Sequence, residues 1–215
     1  MFVSELYDLS QLSVEKRTEI ENTLPGARKV TNAAEAVKYF IDLQENFDEK
    51  INAALENCYV YIMPASEFAG ISCATASPAL LYSRCAITGH QVILIAEEAL
   101  AIEPEGLECL LYHELVHAEQ DARGDMKPAD GSIIWKGQEY SLADLGLKVQ
   151  AAVETYMTQG HDYVYASVIA NSEVMPWECE AHYKMFEYTL RFKQYVNSVP
   201  EAMMKRLTEL YRNIA

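Results

Sequence analysis

The sequence predicts an α+β protein, with a small mixed or antiparallel sheet followed by a helical C-terminal half. Three observations carry this prediction. Residues 58–96 are rich in β-branched and aromatic residues and alternate with a period near two. The segment from Thr31 to Leu55 instead repeats its apolar residues at helical spacing. Beyond Glu103 the chain is mostly helical in pattern, broken by one short hairpin signal. The last three of the strands expected over residues 58–96 could form a meander through short connections.

The elements follow in order. Thr31 and Asn32 are good capping residues, and Val37, Phe40, Ile41, Phe47, Ile51 and Leu55 form the stripe behind them. Tyr59-Val60-Tyr61-Ile62-Met63 reads as a strand ended by Pro64. Ile71 to Ala76, Leu80 to Ile87 and Gln91 to Ala96 read as three more, the last of them continuously apolar in Val92-Ile93-Leu94-Ile95. Such a run suits a central strand covered on both faces, so any sheet edge is expected among its neighbours. Glu103-Pro104-Glu105 opens a helix, since proline fits the first turn and acids fit the positive end. That helix is expected to end near Arg123-Gly124. Ser132 to Trp135 and Gln138 to Tyr140 form a hairpin about Lys136-Gly137. Ser141 caps a helix with Leu142, Leu145, Val149, Ala152, Val153 and Tyr156 on one face, ended by Gly160. Pro176 begins a long helix to about Val196, and Ser198-Val199-Pro200-Glu201 reads as a capping box for the last. The expected organisation is one domain over residues 1–215. It comprises a helical segment 1–57, a sheet and helix over 58–123, and a hairpin with helices over 124–215.

Composition narrows the function classes. The chain has 215 residues, half of them apolar, enough for one sizeable core. Its formal net charge of -15 disfavours nucleic acid and anionic membranes, because phosphate binding needs Lys/Arg patches. The five cysteines Cys58, Cys73, Cys85, Cys109 and Cys179 include no C-x-x-C pair and read as small buried hydrophobes of a reducing compartment. Met1 to Ser10 lacks a basic stretch followed by an apolar run, so a cytoplasmic protein without a secretory signal is expected.

His113-Glu114-Leu115-Val116-His117 is the motif that carries chemistry. Residues four apart share one helix face, so both imidazoles can hold one zinc ion. Glu114 then lies beside the position of a metal-activated water and is the candidate catalytic residue, a general base for hydrolysis. A catalytic zinc takes three protein ligands and keeps one position open. No third histidine follows closely, which leaves a carboxylate on a later helix. Pro176-Trp177-Glu178-Cys179-Glu180-Ala181-His182 offers Glu178, with Glu180 as the competing carboxylate. The plain reading of Glu178 is an acid complementing a helix dipole. Glu119 and Asp121 are expected to face solvent, and His90 and His161 to lie exposed in turns.

At these residues the chain resembles the gluzincin metallopeptidases, a zincin group in which a Glu on a second helix completes the site. Their local Glu-x-x-Ala pattern is similar to Glu178-Cys179-Glu180-Ala181, with His182 standing where Asp is common. The order of the motif, Trp135-Lys136-Gly137 and Pro176-Trp177-Glu178 is also similar to small phage-encoded zincin-like proteins. The resemblance covers residues 110–182, about a third of the chain. It implies a zincin-like fold with an active-site helix against the sheet. It also implies Zn2+ on His113, His117 and Glu178, and a peptide or protein substrate. His182 would orient a motif histidine. An oxyanion donor would come from Tyr156, His161, Tyr163 or Tyr165. The rival readings are a non-catalytic zincin-fold binding or inhibitory module that retains the metal, and a metal-free interaction protein.

Overall fold

The computed structural model describes residues 28–30, 49–56, 58–63, 80–84, 91–96, 99, 104–129, 131–192 and 200–214. Over these residues the chain is α+β, as expected. It divides into two compact units, residues 1–118 and 119–215, and the boundary falls inside one helix. No helix among the described residues is long and apolar enough to cross a membrane.

The first unit holds a four-stranded sheet of β1 (Arg28–Val30), β2 (Cys58–Met63), β3 (Leu80–Arg84) and β4 (Gln91–Ala96). The spatial order is β1-β2-β4-β3. β2 runs parallel to β4, with Cys58 opposite Gln91, while β3 and β1 are antiparallel to their neighbours. β4 is therefore central, and Val92, Ile93, Leu94 and Ile95 are each 0 % exposed. Burying such side chains contributes about 1.5–3 kcal/mol each, which fixes this strand in the middle. The continuous apolar run predicted that placement. β3 ends the described sheet and is its candidate edge. Helix α1 (Glu49–Glu56) is the described part of the predicted N-terminal helix, and it buries Ile51 and Ala54. The remainder of that helix, the predicted strand Ile71 to Ala76 and His90 lie outside the described residues.

Helix α2 (Pro104–Ala122) starts at the predicted proline and carries the His-Glu-x-x-His motif. Its Leu107, Leu111, Leu115 and Val116 are buried. Near its C-terminal end the sheet is tied to it, as Gln91 Nε2 at the start of β4 donates to the Ala118 carbonyl at 2.6 Å. The helix stops where Gly124 takes φ 83°, a conformation that a Cβ disfavours. Gly124 N–H then bonds Asp121 O at 2.9 Å and Asp125 N–H bonds Gln120 O at 3.0 Å, a Schellman cap.

The second unit contains a three-stranded antiparallel sheet of β5 (Met126–Ala129), β6 (Ser132–Trp135) and β7 (Gln138–Ser141). The predicted hairpin is β6–β7. Lys136 and Gly137 both have positive φ, 47° and 85°, which gives the primed turn that suits twisted strands. β5 was not expected from the sequence, because Pro128 interrupts its short run. Four helices follow: α3 (Leu142–Thr158), α4 (Tyr163–Val174), α5 (Pro176–Phe192) and α6 (Glu201–Arg212). Ser141 caps α3 as expected, and Asp162 caps α4 by accepting from Tyr165 N–H at 2.9 Å. α4 ends because Met175 precedes a proline and is driven to the extended region, φ -122° and ψ 107°. Pro176 then opens α5. Ile169, Met203 and Leu207 form a buried core of this unit with Tyr156, Tyr165, Tyr183 and Phe186 packed against them.

One expectation needs correction. The last helix has Pro200 as its N-cap with no side-chain cap bond, so the Ser198 capping box is not its start. The predicted α3 face is observed, with Leu145 buried and Leu142, Val149, Ala152, Val153 and Tyr156 half-buried, while Leu147 off that face is 70 % exposed.

Burial also sets cysteine chemistry. Cys179 is 0 % exposed, and desolvation pushes its thiol up to about 12, with the Glu180 charge adding to the shift. Thiolate is the reactive form, so Cys179 is expected to resist alkylation at pH 8 in the native protein and to react fully in denaturant. Peptide mapping after iodoacetamide pulse labelling checks this, and rapid native labelling of Cys179 contradicts it.

Candidate metal centre

α2 presents His113 and His117 one turn apart, as the four-residue spacing predicted. Their Nε2 atoms approach to 3.2 Å and their rings meet edge to face, with planes at 88°. Two nitrogens bound to zinc at 2.0–2.1 Å in a tetrahedron lie about 3.3 Å apart. The observed separation is that of a hydrogen bond between the two rings and is also close to the spacing of two nitrogens on one zinc ion. His117 is 5 % exposed, and Tyr82 of β3 sits with its ring centroid 6.3 Å from that of His117. Glu114 lies between the two histidines on the same helix and is half-buried.

α5 presents Glu178 and His182 one turn apart, both half-buried. Each of the two compact units thus carries a pair of potential metal ligands one helical turn apart, His113 with His117 in the first and Glu178 with His182 in the second. The donor set of imidazoles and one carboxylate suits zinc chemistry.

The hydroxyl of Ser172 on α4 holds His182. Ser172 Oγ donates to the Val168 carbonyl at 2.8 Å and lies 3.0 Å from His182 Nδ1. Ser172 is 4 % exposed. Sequence reasoning missed this serine, since nothing in a ten-residue separation across two helices marks it.

Glu180 has a different role from Glu178. It is 5 % exposed and bonds Arg123, while Lys184 Nζ approaches its Oε1 at 3.0 Å. Gln120 Nε2 also donates to it at 3.2 Å and to the Trp177 carbonyl at 2.9 Å. Burial alone would raise the Glu180 carboxyl. The Arg123 hydrogen bond and the Lys184 charge outweigh it and hold the group at about 2. Burial likewise disfavours the Lys184 ammonium, but the bond to Glu119 and the charge of Glu180 leave its pKa raised.

Glu119 accepts from Arg123 at 3.0 Å and from Lys184 at 2.9 Å, and is 5 % exposed. The expectation that Glu119 and Asp121 face solvent is therefore wrong, since Asp121 is also 5 % exposed. The last turn of α2 packs both acids inward, and Glu119 is neutralised by Arg123 four residues on and by Lys184 of α5, the second of which helical spacing does not reveal.

The proposed oxyanion donors have their own contacts. Tyr156 donates to Glu173 at 2.6 Å, and burial, with Glu173 adding to it, pushes its hydroxyl up to about 12. His161 is exposed, as expected, and stacks on Tyr165 with centroids 4.2 Å apart. Tyr163 is 56 % exposed.

No protein-family model, curated protein or solved structure matches the chain.

Proposed function

We propose that this chain is a zinc-dependent metallopeptidase of zincin type, with His113, His117 and Glu178 as ligands and Glu114 as general base. The observation that carries the reading is the 3.2 Å approach of the two Nε2 atoms, a separation suited to shared coordination. A zinc ion held by these residues would polarise a scissile carbonyl and bring the pKa of a water to about 7. Glu114 accepts the proton of the attacking water at its carboxylate and returns it to the departing amine. β3 supports a peptide substrate, because it ends the described sheet and carries Tyr82 beside His117. An extended peptide could add to that strand through backbone hydrogen bonds.

Metal content tests the reading. Protein purified without chelators is expected to hold one zinc per chain by elemental analysis, and His113→Ala and His117→Ala to hold far less. A wild-type protein that neither retains nor rebinds zinc would rule the reading out.

A second reading is a binding or inhibitory module whose metal is structural. His182 one turn from Glu178 favours it, because a fourth protein ligand would close the site. Wild-type protein fully loaded with zinc and inert on a broad peptide library would support it.

A further inference from the structure

We infer that the outer face of α3 is a self-association surface, on which the same helix of a second copy of this chain packs antiparallel about Ala151. The inference is independent of the metal reading. α3 (Leu142–Thr158) packs on α4 and buries Leu145. On the side away from Leu145, Leu147, Ala151 and Thr155 lie exposed at intervals of four, with Leu147 70 % exposed. Lys148 and Glu154 flank them on the same stripe and are exposed as well. Ala151 is central both along the helix and across the stripe. A small side chain there allows two helix axes to approach to about 8–10 Å. Thr155 Oγ1 donates to the Ala151 carbonyl at 2.8 Å, and Thr158 Oγ1 to the Glu154 carbonyl at 2.8 Å. Covering these hydroxyls therefore strands no donor.

Charge sets the direction and the register. A net charge of -15 opposes self-association, so a self-contact needs opposite charges facing each other. Parallel packing in register sets Lys148 against Lys148 and Glu154 against Glu154, and is disfavoured. Lys148 stands three residues before Ala151 and Glu154 three after it. A two-fold axis at Ala151 therefore brings Lys148 opposite Glu154 of the partner subunit, and symmetry makes the pair twice. Leu147 then lies opposite Thr155 of the partner subunit, and Asp144 opposite Thr158 of the partner subunit, so no like charges meet. Among the described residues Lys148 is in no ion pair within its own chain. Glu154 accepts from Gln150 Nε2 at 3.2 Å through Oε1, and its carboxylate has a second acceptor oxygen. One pair of helices is a small interface, so the association is reversible and depends on concentration.

Sedimentation velocity of the full chain tests the proposal. The wild type is expected to pass from monomer to dimer as its concentration rises from ~1 to ~100 µM. Lys148→Glu sets acids against each other, and Leu147→Glu places a charge in the contact. Each is expected to weaken the dimer by about tenfold or more, and Lys148→Glu combined with Glu154→Lys to restore it. These positions are exposed, so the variants should fold, and circular dichroism checks that they do. A wild type that stays monomeric throughout overturns the proposal and leaves the face to another partner. A dimer that Lys148→Glu does not weaken, or that the double exchange does not restore, overturns it too.

Discussion

Replacing Glu114 with Gln is expected to leave the metal bound and to slow peptide hydrolysis by about 10²–10⁴-fold, the usual contribution of a positioned general base. The substitution preserves the size and hydrogen-bonding reach of the side chain but removes its capacity to accept a proton. It lies within α2 between the two histidines, and Gln is as good a helix former as Glu, so the histidine geometry should not change. A fluorogenic peptide library, assayed with metal content on the same sample, separates the two effects. His113→Ala should lose both metal and turnover, whereas Glu114→Gln should lose turnover alone. Full activity in metal-loaded Glu114→Gln would eliminate Glu114 as the base. Loss of metal in that variant would show that Glu114 shapes the ligand sphere instead.

Arg123→Ala should have the largest effect on stability. Arg123 and Lys184 neutralise Glu119 and Glu180, and both carboxylates are 5 % exposed. Removing Arg123 leaves two buried acids sharing one ammonium. Breaking a buried pair costs about 3–5 kcal/mol. The Arg123 side chain is 30 % exposed, and water screens part of the interaction, so about 2–4 kcal/mol is expected here. Urea denaturation of the metal-free protein measures it. A change below about 0.5 kcal/mol would mean that the cluster behaves as an ordinary surface network.

The same cluster produces a pH dependence. The Glu180 carboxyl sits at about 2 in the folded chain, below its ordinary value of 4.5. Its contribution to stability is therefore full above about pH 4.5 and declines as pH falls toward 2, where the folded state also becomes protonated. Glu180→Gln should flatten that acid limb in the metal-free protein.

Much of the site was legible because helical periodicity is local. The interval between His113 and His117 dictates a shared face whatever surrounds the helix, and Pro176 dictates where α5 begins. The central position of β4 was legible for a similar reason, since four consecutive apolar residues need cover on both faces. The choice between Glu178 and Glu180 was not legible. Both are acids early in one helix, and only the cations that meet Glu180 give it a separate role. Glu119 and Asp121 looked like solvated acids for want of the same information. α4 was missed because its pattern, Tyr163–Val174, is apolar on nearly every side and shows no helical stripe.

By itself, then, the sequence determined the α+β class, most of the described elements and the shared helix face of His113 and His117. These follow from spacing along one stretch of backbone. The tertiary structure decided which acids are buried and that Glu180 meets Arg123 from 57 residues away. Pairing across segments, Glu180 with Arg123 and Glu119 with Lys184, leaves no period in the chain, whereas Glu119 with Arg123 and Glu180 with Lys184 are four-residue helical pairs.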